Sequence, residues 1–388
     1  MKANTAFDQP SRWTGLFRVF SGFDGPLFTA VLMLAGIGLV AMYSAGYDHG
    51  TRFVDHGRNM VLALGVLFLA SQVPPQKLQQ LAVPLYIVGV LLLAVTAIPG
   101  LGVTKKGATR WLHVGMDFQP SEILKIAMPL MLAWWFQKRE GQLRVLDFLI
   151  AGLLLLAPVG LVMKQPDLGT ALLILASGIY VIFFAGLSWK LVVPVLLTGA
   201  IAVAATVLSA DRICEPGVKW PLMREYQQHR VCTLLDPTTD PLGKGFHIIQ
   251  GMIAIGSGGL SGKGFMQGTQ THLEFIPERT TDFIFAAFSE EFGLAGVLLL
   301  ICGFIFLIFR GLMIAAEAPT VFTRLLAGAV TLSFFTYAFV NMGMVSGILP
   351  VVGVPLPFIS YGGTAMVSLG LGLGILMSVG RSRRLMQS

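Results

Sequence analysis

The chain has 388 residues, of which 55% are hydrophobic and only 12% are charged, against about 25% charged in an ordinary soluble domain. With a mean hydropathy of +0.75, a soluble fold of this length could not bury its apolar surface, so we predict a membrane protein. The net charge of +7 suits anionic lipid headgroups. Because no basic block is long enough to follow a phosphate backbone, nucleic acid is excluded as a partner.

Apolar runs that suit a membrane span recur along the chain. A transmembrane helix needs about 17–25 residues, and ten runs meet or approach that length: 26–45, 58–73, 79–98, 120–136, 146–163, 169–187, 190–209, 283–309, 325–345 and 361–380. The sequence therefore predicts an all-α polytopic membrane protein with about ten transmembrane helices. A single membrane domain covers 26–380, with terminal segments 1–25 and 381–388, and a large loop of about 210–282 separates the seventh helix from the eighth.

The distribution of Lys and Arg predicts the orientation of these runs. With the N-terminus inside, the inner segments hold thirteen basic residues and the short outer loops hold six, and cytoplasmic loops carry the excess. We therefore expect both termini in the cytoplasm and the loop 210–282 outside. Cys214 and Cys232 lie in this loop, where an oxidising compartment would allow a disulfide; two free thiols are the alternative.

The segment FQPSEILKIAMPL places two ionisable residues inside an apolar run. Pro120 suits the first turn of a helix, so Glu122 and Lys125 are expected one turn apart on the same face. Charged groups inside a span are expensive and indicate a functional site by default. Two interpretations are open: an internal ion pair that holds helices together, or a cavity in which Glu122 orients Lys125 toward an anionic group.

Two further charged residues are expected on the same outer side. Arg110, in TKKGATRWLHVGMDFQ, suits bidentate contact with phosphate oxygens, whereas Lys105 and Lys106 are typical of an interfacial basic patch. In KQPDLGT, Asp167 is a good N-cap for the sixth run. We expect its side chain to face the same outer vestibule as Arg110.

The stretch HLEFIPERTTDFIFAAFSEEFG (272–293) is unusually acidic for this chain. It contains five of the 20 acidic residues: Glu274, Glu278, Asp282, Glu290 and Glu291. Because Pro277 can begin a helix, Glu274 is expected in the loop, with Glu278 and Asp282 on the first helical turns. Asp282 lies where water meets the membrane, which makes it a candidate general base. The two deeper glutamates are expected to cap buried hydrogen-bond networks.

Two further stretches are rich in glycine. SGILPVVGVPLPFISYGGT (346–364) cannot form a regular helix, and it must be buried in protein or line a cavity; Ser360 and Tyr361 are its candidate binding residues. GSGGLSGKGF (256–265) is either a flexible turn or a backbone approach to a ligand. The six histidines show no metal-binding spacing, so no metal ligand is assigned, and a divalent cation held by loop carboxylates is left open.

Together these motifs resemble the SEDS family of bacterial cell-wall synthesis, and its elongation branch more than its division branch. The matching segments are GATRWL (107–112), FQPSEILK (118–125), QPDLGT (165–170), LLDPTTDPLGKGFHIIQ (234–250), IAIGSGGLSGKGF (253–265), the 272–293 stretch and NMGMVSGILPVVGVPLPFISYGG (341–363). They extend from the third loop to the last apolar run. The loop cysteines depart from the family pattern.

The resemblance implies a peptidoglycan glycosyltransferase of the bacterial cytoplasmic (inner) membrane. Such proteins polymerise lipid II on the outer face and release undecaprenyl pyrophosphate. They work with a class B penicillin-binding protein and other membrane proteins of the elongation complex. The family's essential aspartate falls on Asp282, its loop glutamate on Glu274 and its fourth-span lysine on Lys125.

Combining this resemblance with the chemistry assigns a role to each residue. Asp282 would take the proton from the acceptor hydroxyl, and Arg110 and Lys125 would stabilise the leaving diphosphate, with or without Mg²⁺ or Mn²⁺. Glu274 would position the acceptor or a cation. The candidate substrate-binding residues are Arg110, Lys125, Glu274, Glu122, Asp167, Ser360 and Tyr361.

Two other functions remain open from the sequence. One is a transporter that flips lipid II, and the other is a non-catalytic scaffold that activates a penicillin-binding protein. The acidic residues cluster at one membrane face, whereas a transporter is expected to carry polar groups near the midplane. The sequence therefore favours catalysis.

Overall fold

The computed structural model describes residues 23–48, 50–96, 98, 102–105, 108–114, 116–215, 218, 220, 225–240, 243–276 and 278–387. Nearly all of the predicted N-terminal segment 1–25 lies outside these residues, as does Lys106. In the described chain the helices are α1 Gly25–Ala45, α2 Arg52–Ser71, α3 Pro75–Thr96, α4 Ser121–Gln137, α5 Val145–Lys164, α6 Leu168–Phe184, α7 Trp189–Leu208, α8 Ala210–Ile213, α9 Glu225–Leu235, α10 Lys244–Ser257, α11 Thr269–His272, α12 Ile284–Ala316, α13 Val321–Val345 and α14 Gly363–Gln387.

Every predicted apolar run is a helix in this structure. Eight of the described helices are long and apolar enough to cross a membrane, and α4 and α6, with 17 residues each, extend about 25 Å by helix rise. The protein is an all-α polytopic membrane protein, as predicted.

The connectors contain the remaining elements. Between α3 and α4 lies a small antiparallel sheet of β1 Val103–Lys105, β2 Ala108–Val114 and β3 Met116–Phe118, in the order β1-β2-β3. Helices α8 to α11 and a 3-10 turn at Pro237–Thr239 occupy the predicted loop 210–282. Cys214 and Cys232 form a disulfide across this loop, with their Cα atoms 5.6 Å apart.

The core of the bundle lies around α13 and α14. Most residues of α13 are buried, and small residues let α14 cross α2 closely, since a β-carbon at Gly370 would overlap the carbonyl of Ala63. Along the whole of α7, by contrast, no residue is buried. Its apolar side chains are therefore available to lipid.

Helix α12 is broken at Gly293, whose φ is +59°. Beyond this break, the N–H groups of Leu294 and Ala295 donate to the carbonyls of Gly259 and Leu260 at 2.9 and 3.1 Å. The glycine-rich segment 256–265 is therefore packed against the broken helix. The part 258–261 is a turn, as one of the two alternatives expected. Glycine permits the close packing, since a β-carbon at Gly258 or Gly262 would overlap the carbonyl oxygen of Ser289 or Glu291, respectively.

The two deep glutamates of α12 serve the same junction. Glu290 is fully buried, and its carboxylate accepts from Lys263 Nζ at 2.6 Å and from the N–H groups of Gln270 and Thr271 at 2.8 and 3.0 Å. The adjacent Glu291 accepts a hydrogen bond from Ser44 of α1. Their predicted role in buried hydrogen-bond networks is confirmed.

Candidate active site

One end of the helix bundle brings together the connectors that carry the sequence motifs. Arg279, at the end of the large loop, donates to the carbonyl of Ala45 in α1 at 3.0 Å. Arg230 of α9 donates at 2.9 Å to the carbonyl of Val351, in the segment 346–364, which we call the Pro/Gly loop. Residues far apart in sequence therefore meet at this end of the bundle.

Asp282 lies in a turn immediately before α12. The helix begins at Ile284, with Phe283 as its N-cap residue, and Glu278 has a φ of +55°, which an α-helix excludes. The prediction that Glu278 and Asp282 occupy the first helical turns is therefore wrong. Tertiary hydrogen bonds hold this part of the backbone outside the helix.

The backbone around Asp282 is held by α13 and by the Pro/Gly loop. Three consecutive carbonyls accept hydrogen bonds from these elements: Thr280 from the Tyr361 N–H at 2.8 Å, Thr281 from Ser360 Oγ at 2.7 Å and Asp282 from Asn341 Nδ2 at 3.0 Å. The side chain of Asp282 is only partly buried. The candidate base thus combines a fixed backbone with a residue that is only partly buried.

The Pro/Gly loop lies between Asp282 and the start of α6. A β-carbon at Gly353 would lie 3.3 Å from Asp282 Oδ2. From the other side, a β-carbon at Gly169 would lie 2.7 Å from the carbonyl oxygen of Val352 and 3.5 Å from that of Gly353. Glycine at both positions allows the Asp282 and Asp167 regions to approach the same short piece of loop.

Arg110 and Asp167 hold the start of α6. Asp167 Oδ1 accepts from the Thr170 N–H at 3.2 Å, which confirms the predicted N-cap. Arg110 Nη1 lies 3.6 Å from Asp167 Oδ2, and the guanidinium also donates to the carbonyls of Gln165 and Pro166 at 3.3 and 2.6 Å. The Arg110 side chain remains 30% exposed, although its charge already has a partner.

Glu122 and Lys125 form the internal ion pair that their spacing predicted. Lys125 Nζ lies 2.7 Å from Glu122 Oε1, and the two side chains are only 9% and 10% exposed. Ser368 Oγ donates to the other carboxylate oxygen at 2.8 Å, and the Lys125 ammonium lies 5.6 Å from the centre of the Tyr337 ring. A cavity of about 30 Å³ adjoins Lys125, Tyr337 and Ser368, which is room for a water molecule or two.

Glu274 lies on the outer surface, away from the helical core. Its side chain is 66% exposed, and its carboxylate is 3.9 Å from Arg279 Nη2, which also pairs with Asp48. Its φ of +60° places it in the left-handed region, consistent with the predicted loop position. The carboxylate is therefore open to solvent.

The two candidates in the Pro/Gly loop differ in what they contact. Ser360 is 2% exposed; its hydroxyl accepts from the Leu356 N–H at 2.8 Å besides donating to Thr281. It therefore supports the backbone beside Asp282 and does not present a group to a ligand, contrary to its predicted binding role. The Tyr361 ring lies under the guanidinium of Arg52, at 5.1 Å from the ring centre.

The sequence assigned no role to Asn341, which contacts the Asp282 carbonyl, or to Arg52, which contacts Thr280 and Tyr361. In the sequence, Arg52 was only one of the six basic residues of the short outer loops, and Asn341 was only the first residue of the segment 341–363. The one signal was that Asn341 is an amide inside an apolar run, where polar side chains are rare.

The described residues include no group of three or more His, Cys, Asp and Glu that could hold a metal ion. This donor set does not fit a Mg²⁺ or Mn²⁺ ion held by protein ligands alone.

Comparison with known proteins identifies the family. The sequence model of the FtsW/RodA/SpoVE family of cell cycle proteins matches residues 26–385 of this chain. The chain is 46% identical over 362 residues to the peptidoglycan glycosyltransferase MrdB of Escherichia coli K12, covering 93% of this chain and 94% of that one. It is 34% identical over 378 residues to a probable peptidoglycan glycosyltransferase FtsW of Trichlorobacter lovleyi, with 94% of each chain covered.

Solved structures agree with this assignment. The chain superimposes on one from a peptidoglycan synthase complex described as coordinating polymerization and crosslinking, with a TM-score of 0.75, 34% identity and coverage of 93% and 98% of the two chains. It also matches the rod shape determining protein RodA of Thermus thermophilus, with a TM-score of 0.68, 29% identity and coverage of 93% and 97%. The protein is therefore a member of the FtsW/RodA/SpoVE family.

Proposed function

We infer that the protein is a peptidoglycan glycosyltransferase that polymerises lipid II into glycan strands during cell elongation, with release of undecaprenyl pyrophosphate. Relatives that match along nearly the whole chain carry this activity in their names. The observation that carries the chemistry is the position of Asp282. Its backbone is fixed, and its partly exposed carboxylate lies where the outer connectors converge.

In the proposed reaction, Asp282 acts as the general base. Its carboxylate accepts the proton of the acceptor sugar hydroxyl while that oxygen forms a bond to the anomeric carbon of the donor. The bond from the anomeric carbon to the diphosphate breaks, and the diphosphate leaves with the electron pair. A positioned base of this kind contributes about 10²–10⁴-fold to the rate.

The leaving diphosphate gains negative charge, so nearby cations lower the barrier. Arg110 supports this role because part of its side chain is exposed at the outer face. Lys125 is buried and paired, so its field would act across the small adjoining cavity. We assign Glu274, which is open to solvent, to positioning of the acceptor.

We also propose the setting of this reaction. The membrane is the bacterial cytoplasmic (inner) membrane, both termini are cytoplasmic and the active site faces outward, as the thirteen inner and six outer basic residues suggest. The partner is a class B penicillin-binding protein that crosslinks the strands, acting with other membrane proteins of the elongation complex. Support comes from the structural match to a complex that coordinates polymerization and crosslinking.

The test is polymerisation of labelled lipid II by the purified protein together with its penicillin-binding partner. We expect glycan strands from the wild type and none from the Asp282→Ala variant. Transfer of lipid II across liposomes without any polymer would contradict this function and favour a transporter. Polymer made by the partner alone would favour a scaffold.

A further inference from the structure

Arg52 is attached to the same short segment as the candidate base. It is the first residue of α2, and its guanidinium donates to the hydroxyl of Thr280 and lies above the ring of Tyr361. The N–H of Tyr361 in turn bonds the carbonyl of Thr280, two residues before Asp282. The positions of Arg52 and Asp282 are therefore coupled through one fixed turn.

Among the described residues, no carboxylate forms an ion pair with Arg52. Within the described part of the chain, its contacts are a hydroxyl and an aromatic ring, whereas a guanidinium has five N–H donors. Other cations of this face have carboxylate partners: Arg58 with Asp55, Arg110 with Asp167, Lys125 with Glu122, Lys263 with Glu290, and Arg279 with Asp48. Arg52 thus keeps donors and charge for a further group.

The location of Arg52 on its helix favours an anion there. A cation on the first turn of a helix is repelled by the positive end of the helix dipole. The N-cap residue, Thr51, makes no side-chain hydrogen bond to the first N–H groups of α2. An anion near Arg52 would offset the repulsion and would meet both a planar guanidinium fork and helix N–H groups.

We propose that Arg52 binds the diphosphate of the lipid-linked donor, next to Asp282. This assignment rests on the proposed function. The two residues assigned to this task from the sequence, Arg110 and Lys125, are each paired with a carboxylate in the structure. Arg52 is partly buried, so its interaction with phosphate oxygens is stronger than at a fully solvated position. It holds the donor during binding and stabilises the leaving group as charge develops.

The test compares binding of undecaprenyl diphosphate and undecaprenyl monophosphate to the purified full-length protein. We expect the Arg52→Gln variant to lose about tenfold or more in affinity for the diphosphate and clearly less for the monophosphate. Arg58→Gln, on the same helix but paired with Asp55, is the matched control and should bind both lipids as the wild type does. Arg52→Lys, which keeps the charge but not the fork, should be intermediate.

Unchanged diphosphate affinity in Arg52→Gln, or an equal loss for both lipids, would overturn the proposal. If Arg52→Gln does not fold, the same comparison is made with Arg52→Lys. Asp282→Asn separates this proposal from the proposed function. It should bind the diphosphate normally while failing to polymerise lipid II. Polymerisation by Asp282→Asn together with weak diphosphate binding by Arg52→Gln would reject the base and retain the binding site.

Discussion

Gly353 lies against the carboxylate of Asp282, so closely that a β-carbon at position 353 would be 3.3 Å from Asp282 Oδ2. The Pro/Gly loop is therefore one wall of the candidate active site. The contact requires glycine for two reasons. The φ of Gly353 is +75°, which disfavours other residues, and an added side chain would crowd the carboxylate of Asp282.

We predict that Gly353→Ala lowers polymerisation by more than its effect on stability explains. The backbone strain at positive φ costs about 1–2 kcal/mol, and the methyl group crowds Asp282. Gly141→Ala is the control, since Gly141 has a φ of +81° with open space around its β-carbon position. Thermal unfolding and lipid II polymerisation of both variants check this. If the two variants lose the same stability and have the same activity, the Pro/Gly loop has no role in catalysis as a wall of the site.

The fold was predictable because each apolar run carries its own signal for a membrane helix. The Glu122–Lys125 pair was also predictable, because residues three apart lie on the same face of a helix. The geometry around Asp282 was not predictable from the sequence, because it depends on partners far along the chain. Asn341 is 59 residues from Asp282, and Arg52 is 228 residues from Thr280. Local propensity at Pro277 favoured a helix, and these distant hydrogen bonds held the segment in a turn instead.

The buried pair of Glu122 and Lys125 gives a prediction about stability and function together. Glu122→Gln leaves the Lys125 ammonium unpaired in the core, so we expect a loss of about 3–5 kcal/mol in unfolding free energy. The double variant Glu122→Gln/Lys125→Met should recover most of this stability. It should not recover activity, because the Lys125 charge contributes to the field at the leaving diphosphate.

Thermal unfolding and polymerisation assays on the two variants check this prediction. The exposed pair of Asp55 and Arg58 is the control, since its removal should change stability by less than about 1 kcal/mol. Activity that returns along with stability in the double variant would assign the pair a structural role alone.

The disulfide links the large loop to the wall of the site. Cys232 lies on α9, which also carries Arg230, and Arg230 holds the carbonyl of Val351 at 2.9 Å. Replacing Cys214 and Cys232 by Ser should cost about 3 kcal/mol, as expected for a loop of this size, and should lower polymerisation several-fold.

Two measurements check this prediction: the free energy of unfolding with and without reductant, and the rate of lipid II polymerisation. Cys302 is a free cysteine outside the disulfide, so Cys302→Ser should change neither. If the double Ser variant and Cys302→Ser behave alike, the disulfide supports neither the loop nor the site.

The most direct test of the account is the rate of lipid II polymerisation by Asp282→Asn, measured beside Glu278→Gln with the same partner protein. Asparagine keeps the shape of Asp282 but cannot accept the proton as a carboxylate does, and Glu278 is an exposed acid in the same segment. We expect a loss of at least about 10²-fold in Asp282→Asn and near wild-type activity in Glu278→Gln. Full activity in Asp282→Asn, in a protein that folds normally, would contradict the assignment of Asp282 as the base.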